Sequence, residues 1–285
     1  MNLGCVPQSA FARLGPAEPL TPVVLAVPHA GRAYDPALLD AARLPLAALE
    51  TIEDRHADRL IDAAVAAGAV ALVAHAPRAL VDLNRDPREI DPVLLRTEER
   101  PADLRMTDKV AGGLGVIPSR IAAGGAVWRQ PLAWAEIAAR LEAVHAPYHA
   151  AIAQALDAAQ RRHGHAVLID CHSMPPLPAP SRARLVVGDR YGASAAPGYA
   201  AAALATARHA GLGALCNRPY AGGYTLDRHG APARGRHAVQ IEIDRSLYLD
   251  ASLRAPGPGL AAMQALVAAL CAALGALRAF AQAAE

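Results

Sequence analysis

The segment AVLIDCHSMP, residues 166–175, carries an apolar run into Asp170, Cys171, His172 and Ser173. Alternate side chains of an extended chain share a face, so Asp170 and His172 project together while Cys171 points the other way. A histidine with a carboxylate two residues upstream suits a metal ligand oriented by an acid, and Cys171 reads as a buried apolar thiol. Ser173 is expected to serve nearby backbone groups. A second histidine, His29, ends another apolar run in VVLAVPHAGRAYD, where Gly31 would let backbone approach a ligand closely. Taken alone, His29 is more ordinarily a structural histidine. IEDRHAD, residues 52–58, adds Glu53, Asp54, His56 and Asp58 at the start of a predicted helix, where acids either cap the helix or offer ligands. Two imidazoles and one carboxylate form the donor set of a catalytic zinc, with a fourth position for water.

A hydrolytic metal site also needs a base and an electrostatic clamp. Glu242 lies in AVQIEID, and a carboxylate inside an apolar strand is costly unless it has a partner or a task. It is the candidate base, with an ion pair to a nearby arginine as the plainer alternative. PRALVDLNR offers Arg78, Asn84 and Arg85 as donors to a substrate carboxylate or a developing oxyanion. NRPYAGGYTLDRHG, residues 217–230, offers Arg218, Gly222, Gly223, Tyr224 and Arg228. Its glycine pair between tyrosines reads as a mobile ligand-facing loop or as an ordinary turn.

These residues must be positioned by a scaffold. Runs rich in Val, Leu and Ile at 23–27, 69–74, 79–83, 166–170, 184–188 and 238–243 predict strands, and 46–67, 133–161 and 197–210 carry helical periodicity. Such alternation predicts an α/β sheet covered on both faces. The candidate residues cluster beyond the carboxyl ends of the strands, beside two irregular stretches, 84–131 and 172–182, of the kind that build sites. With 285 residues, 53% of them hydrophobic, one compact domain spanning 1–285 is the simplest organisation. The net charge of +2, from 28 basic and 26 acidic residues interspersed along the chain, gives no one-sided field for nucleic acid or a membrane surface. Residues 260–277 carry no charge, but their alanine content and helical recurrence predict a terminal helix on a soluble core rather than a span. The first residues show no export signal, which predicts a cytoplasmic protein. Cys5, Cys171, Cys216 and Cys271 form no C-x-x-C pair, so neither a disulfide framework nor a cysteine zinc site is expected.

In this order, VPHAGRAYDP, EDRHAD, PRALVDLNRDPREIDP, GLGVIP, APYH, LIDCHSMP, VVGDRYG, NRPYAGGY and AVQIEIDRSLY resemble the N-formylglutamate amidohydrolase (N-formylglutamate deformylase) family over residues 20–250. The resemblance implies a single-domain three-layer α/β/α sandwich with a mixed sheet, phosphorylase/hydrolase-like and related in fold to zinc carboxypeptidases and aspartoacylases. It implies hydrolysis of N-formyl-L-glutamate to formate and L-glutamate, a late step in one histidine-degradation route, with one Zn2+ per chain. Carried over by motif, His29 and His172 would be zinc ligands, Glu242 the general base and Arg78 the oxyanion-polarising arginine. Asn84 and Arg85 would grip a substrate carboxylate, and Arg218 or Arg228 could serve the second. The carboxypeptidase pattern H-x-x-E is broken by Arg32, so the carboxylate ligand is assigned to Asp54, with Glu53, His56 and Asp58 as alternatives. Val27 and Ala30 replace serines common in the first motif. Two other readings are a hydrolase of another N-acyl amino acid or small amide, and a ligand-sensing relative. The latter would have no need to keep both histidines, Asp54 and Glu242.

Overall fold

The structure is a computed structural model that describes residues 9–122 and 124–277. Cys5 and most of the segment read for an export signal lie outside the described residues.

Among the described residues nine strands form: β1 (Phe11–Leu14), β2 (Val23–Val27), β3 (Val70–Ala74), β4 (Arg120–Ile121), β5 (Gly125–Ala126), β6 (Ala166–Met174), β7 (Leu185–Gly188), β8 (Ala214–Cys216) and β9 (Arg236–Asp244). Seven make one sheet in the order β1-β3-β2-β6-β9-β7-β8, and β4 pairs with β5. β2, β6 and β9 run parallel, β7 runs antiparallel to β9, and β8 is parallel to β7, so the sheet is mixed. Every residue of β2 and β6 is buried, as is every residue of β9 after Arg236. Interior strands covered on both faces require such near-continuous apolar runs. Each fully buried Leu, Ile or Val side chain contributes about 1.5–3 kcal/mol. β6 and β9 stay in register over their full length, from Ala166 opposite Arg236 to Met174 opposite Asp244.

The described residues form two compact units, one from 9–12, 28–55, 73–122 and 124–150, the other from 13–27, 56–72 and 151–277. The second contains most of the seven-stranded sheet, with the helices Asp62–Ala66, Pro197–His209 and Leu260–Gly275. Leu260–Gly275 packs on both other helices and on β2 and β6. Its buried side is Met263, Leu266, Val267, Leu270, Cys271 and Leu274, a helical stripe. Among the described residues no helix is long and apolar enough to cross a membrane. The first unit is mostly loop and short turns, anchored by the helix Trp134–Arg140 and its continuation.

Three sequence expectations need correction. ALVDL, 79–83, is not a strand; it is a buried turn and loop after Pro77, with the Leu80 amide donating to the Pro77 carbonyl. Residues 46–67 do not form one helix; short turns precede and follow an extended Glu53 and a left-handed His56 (φ 59°), and a helix resumes only at Asp62. Residues 172–174 belong to β6 rather than to a loop.

Candidate active site

His29 follows β2 after a single proline. In the first unit its Nε2 lies 2.7 Å from Asp82 Oδ1, and its Nδ1 lies 3.5 Å from Asp54 Oδ2. The backbone holds the same pair together, because the Asp54 amide donates to the His29 carbonyl at 2.9 Å. Asp54 therefore sits in the irregular break of 53–56 and is buried. Glu53 turns elsewhere: it accepts from the Tyr34 hydroxyl at 2.6 Å and from Arg55 at 3.0 Å. His56 makes its contact with the Arg254 carbonyl, 3.1 Å from Nε2. Gly31 is required for a different reason than ligand approach, since a Cβ there would meet the Ala76 carbonyl oxygen at 2.0 Å.

Asp82 carries more of this cluster than its sequence context suggested. It is fully buried, and besides His29 it accepts from Arg78 Nε at 2.8 Å and from the Asn84 amide at 2.9 Å, with Arg85 Nε 3.9 Å away. Burial alone would raise its pKa, but Arg78, His29 and Arg85 together hold it well below the usual carboxylate range. Arg78 also reaches the Ile52 carbonyl, and Arg85 donates to the carbonyls of Leu114 (2.9 Å) and Asn84 (2.7 Å). One turn, DLNR, thus joins His29 to the arginines and to Asn84.

The second unit holds a matching block. In the parallel β6–β9 ladder Asp170 lies opposite Gln240 and His172 opposite Glu242, so all four share one face of the sheet, and all are buried. His172 Nε2 is 3.0 Å from Asp170 Oδ2, and Gln240 Nε2 donates to Glu242 Oε1 at 2.9 Å. Cys171 and Ser173 face the other way opposite Ile241 and Ile243; Cys171 is buried, and, contrary to the expectation that it serves backbone groups, the Ser173 hydroxyl has no hydrogen-bond partner among the described residues.

NRPYAGGY is tied down rather than loose. Asn217 and Asp189 bond reciprocally: Asn217 Nδ2 donates to Asp189 Oδ1 at 2.8 Å, and the Asp189 amide donates to Asn217 Oδ1 at 3.0 Å. The Arg190 amide donates to the Ala221 carbonyl at 2.8 Å, and its guanidinium reaches Asp227 and the Gly222 carbonyl. Gly222 has φ +108°, where a Cβ would also strike Leu226. Gly223 precedes the helix Tyr224–His229, in which exposed Arg228 donates to the Tyr224 hydroxyl at 2.8 Å. Arg218 is exposed.

Among the described residues, His29, Asp54 and His172 are a group that could hold a metal ion: all three are buried, and one ligand atom from each lies within 4.8 Å of the others. The donor set fits a divalent metal such as zinc. In both histidines Nε2 faces a carboxylate, so Nδ1 is the nitrogen that could ligate, and a ligating histidine ordinarily directs its second nitrogen to such an acid. Asp82, missed by sequence reasoning, gave the same signal as Glu242, an acid in an apolar run.

Residues 21–249 match the family model of N-formylglutamate amidohydrolase. The chain is 32% identical over 236 residues to an N-formylglutamate deformylase of Pseudomonas aeruginosa, covering 80% of this chain and 82% of that protein. A protein of the same name from Pseudomonas putida is 28% identical over equal coverage. The crystal structure of an N-formylglutamate amidohydrolase from Ralstonia eutropha superimposes with a TM-score of 0.86 at 30% identity, covering 94% of this chain and 97% of that one.

Proposed function

The chain belongs to the N-formylglutamate amidohydrolase family and is a hydrolase of amide bonds, and from that premise we propose that it cleaves N-formyl-L-glutamate to formate and L-glutamate. The observation that carries the reading is the buried His29, Asp54 and His172 group, in which each imidazole is backed by an acid. These three residues would hold one divalent metal, which when bound supplies the Lewis acidity that makes water a nucleophile near neutral pH.

Glu242 acts as general base, taking a proton from the attacking water and returning it to the leaving nitrogen. Gln240 orients it by donating to Oε1. Arg78, whose Nε neutralises Asp82, stabilises the negative charge that develops on the formyl oxygen. Asn84 and Arg85 bind a substrate carboxylate, for which a planar guanidinium provides a two-point grip. Arg218 or Arg228 takes the second carboxylate, beside Gly222, Gly223 and Tyr224. The match at 21–249 draws on segments of both units, which supports reading them as one catalytic domain. The substrate places the enzyme in histidine degradation.

The test is metal analysis of the purified protein together with formate release over N-formyl derivatives of glutamate, glutamine and aspartate and over N-acetylglutamate. About one zinc per chain and the highest kcat/KM on N-formylglutamate are expected. Preference for the acetyl compound would redirect the assignment to another N-acyl amino acid, and absence of turnover on all of them would overturn it.

A further inference from the structure

Trp134–Arg140 and Ala146–His163 are one run of helix interrupted by the π-helical turn Leu141–His145. At 3.6 residues per turn, side chains five apart stand about 140° apart around the axis, so in a regular helix Arg140 would face away from His145. A π turn closes i→i+5 bonds and brings residues five apart onto one side. His149 then follows His145 at ordinary α-helical spacing. The extra residue in the turn therefore aligns three buried donors, Arg140, His145 and His149, on one side.

All three point at one short stretch of main chain. Arg140 Nη1 donates to the Leu80 carbonyl at 3.4 Å, His149 Nε2 to the Leu83 carbonyl at 2.8 Å, and His145 Nε2 to the Arg85 carbonyl at 2.9 Å. A carbonyl can only accept, so each imidazole carries its proton on Nε2. The two carbonyls held by histidines flank Asn84, and the second belongs to Arg85. Among the described residues this stretch belongs to no strand; the Asp82 amide donates to the Val116 carbonyl at 2.7 Å, and the helix satisfies the carbonyls of Leu80, Leu83 and Arg85.

We propose that His145 and His149, which the π turn brings into line with Arg140, are positioning residues that set the aim of Asn84 and Arg85 toward the substrate carboxylate; this rests on the substrate role given to those two residues above. Neither histidine touches substrate. Each acts through the backbone of the residues that do.

The experiment compares His149→Phe and His145→Phe, which keep a ring but lose the donor, with His149→Gln and His145→Gln, which keep a donor near the position of Nε2. Metal-loaded enzymes are assayed well below their melting temperatures on the panel above. The Phe variants should raise KM for the best substrate about tenfold to a hundredfold with kcat little changed, and the Gln variants should recover most of the loss. Metal content should stay at the wild-type level. Wild-type KM in the Phe variants, or a lowered melting temperature with no KM change, overturns the proposal. If the wild-type protein turns over no member of the panel, the functional reading fails and the proposal falls with it. Turnover by the wild type with unaltered KM in the variants removes only the positioning role.

Discussion

Asp82 does for His29 what Asp170 does for His172, and the two acids differ in what else they hold. Asp170 serves an imidazole on its own strand, whereas Asp82 also binds Arg78 and the Asn84 amide. Replacing Asp82 with Asn keeps the shape but removes the charge opposite two arginines, so metal affinity should fall about 10–100-fold by chelator competition. An unchanged affinity would show that His29 needs no such partner. Glu242→Gln should lower kcat by about 10²–10⁴-fold while metal content stays constant, a loss that rapid-quench formate assays resolve. Turnover near the wild-type rate would remove Glu242 as base. Arg85→Lys keeps the charge but loses the planar grip, so KM for N-formylglutamate should rise. A larger loss on N-formylglutamate than on N-formylglutamine would place Arg85 at the side-chain carboxylate; equal losses would place it at the α-carboxylate. His29 and His172 were legible because a polar residue at the end of an apolar run is conspicuous. Asp82 was hidden because ALVDL looks like a strand, in which one acid passes for an outward-facing residue.

At the level of elements, pattern reading succeeded where burial alone decides structure and failed where side chains take over from ladders. β2, β6 and β9 are apolar runs in a sheet interior, and Leu260–Gly275 shows its buried stripe directly. ALVDL has equal hydrophobicity, but Asp82 accepts from the Asn84 amide two residues on and closes a turn instead. The break at 53–56 has a similar origin: the Asp54 amide bonds to the His29 carbonyl, a contact that helical periodicity cannot register. Gly31 belongs to this scale too. Gly31→Ala would drive a methyl group into the Ala76 carbonyl, 2.0 Å from the ideal Cβ position, and should destabilise the protein by about 1–3 kcal/mol or more. Urea unfolding would measure it, and an unchanged midpoint would mean that the backbone there yields at little cost.

For the whole molecule, two histidines outside the candidate site set an acid limit. Burial first, then Arg228 and Arg236, lowers the pKa of His229 to about 3; burial, with a smaller effect of His165, lowers that of His237 to about 4. His237 also stacks on Tyr199 at 4.0 Å and accepts from the Ala196 amide, so it is neutral in the folded protein. Both values lie below the unfolded value of about 6.5, so as pH falls from there toward 4 the unfolded chain binds protons that the folded chain refuses. Stability should therefore drop by up to about 1.4 kcal/mol per pH unit for each histidine in that window. Urea midpoints at pH 7 and pH 5 test this, and His237→Phe should flatten the slope; equal midpoints in the wild type would count against it. The β6–β9 pairing has a consequence of another kind. His172 and Glu242 occupy the same rung of one parallel ladder, so the spacing between their backbones is that of neighbouring strands, about 4.8 Å, whatever packs on the opposite face. Substitutions at Cys171 or Ile241 can drift in size without changing that spacing, whereas inserting one residue into either strand would turn its chemical side chains to the other face. Across diverging descendants of this chain, the two strands should accumulate replacements at alternate positions while their lengths remain constant.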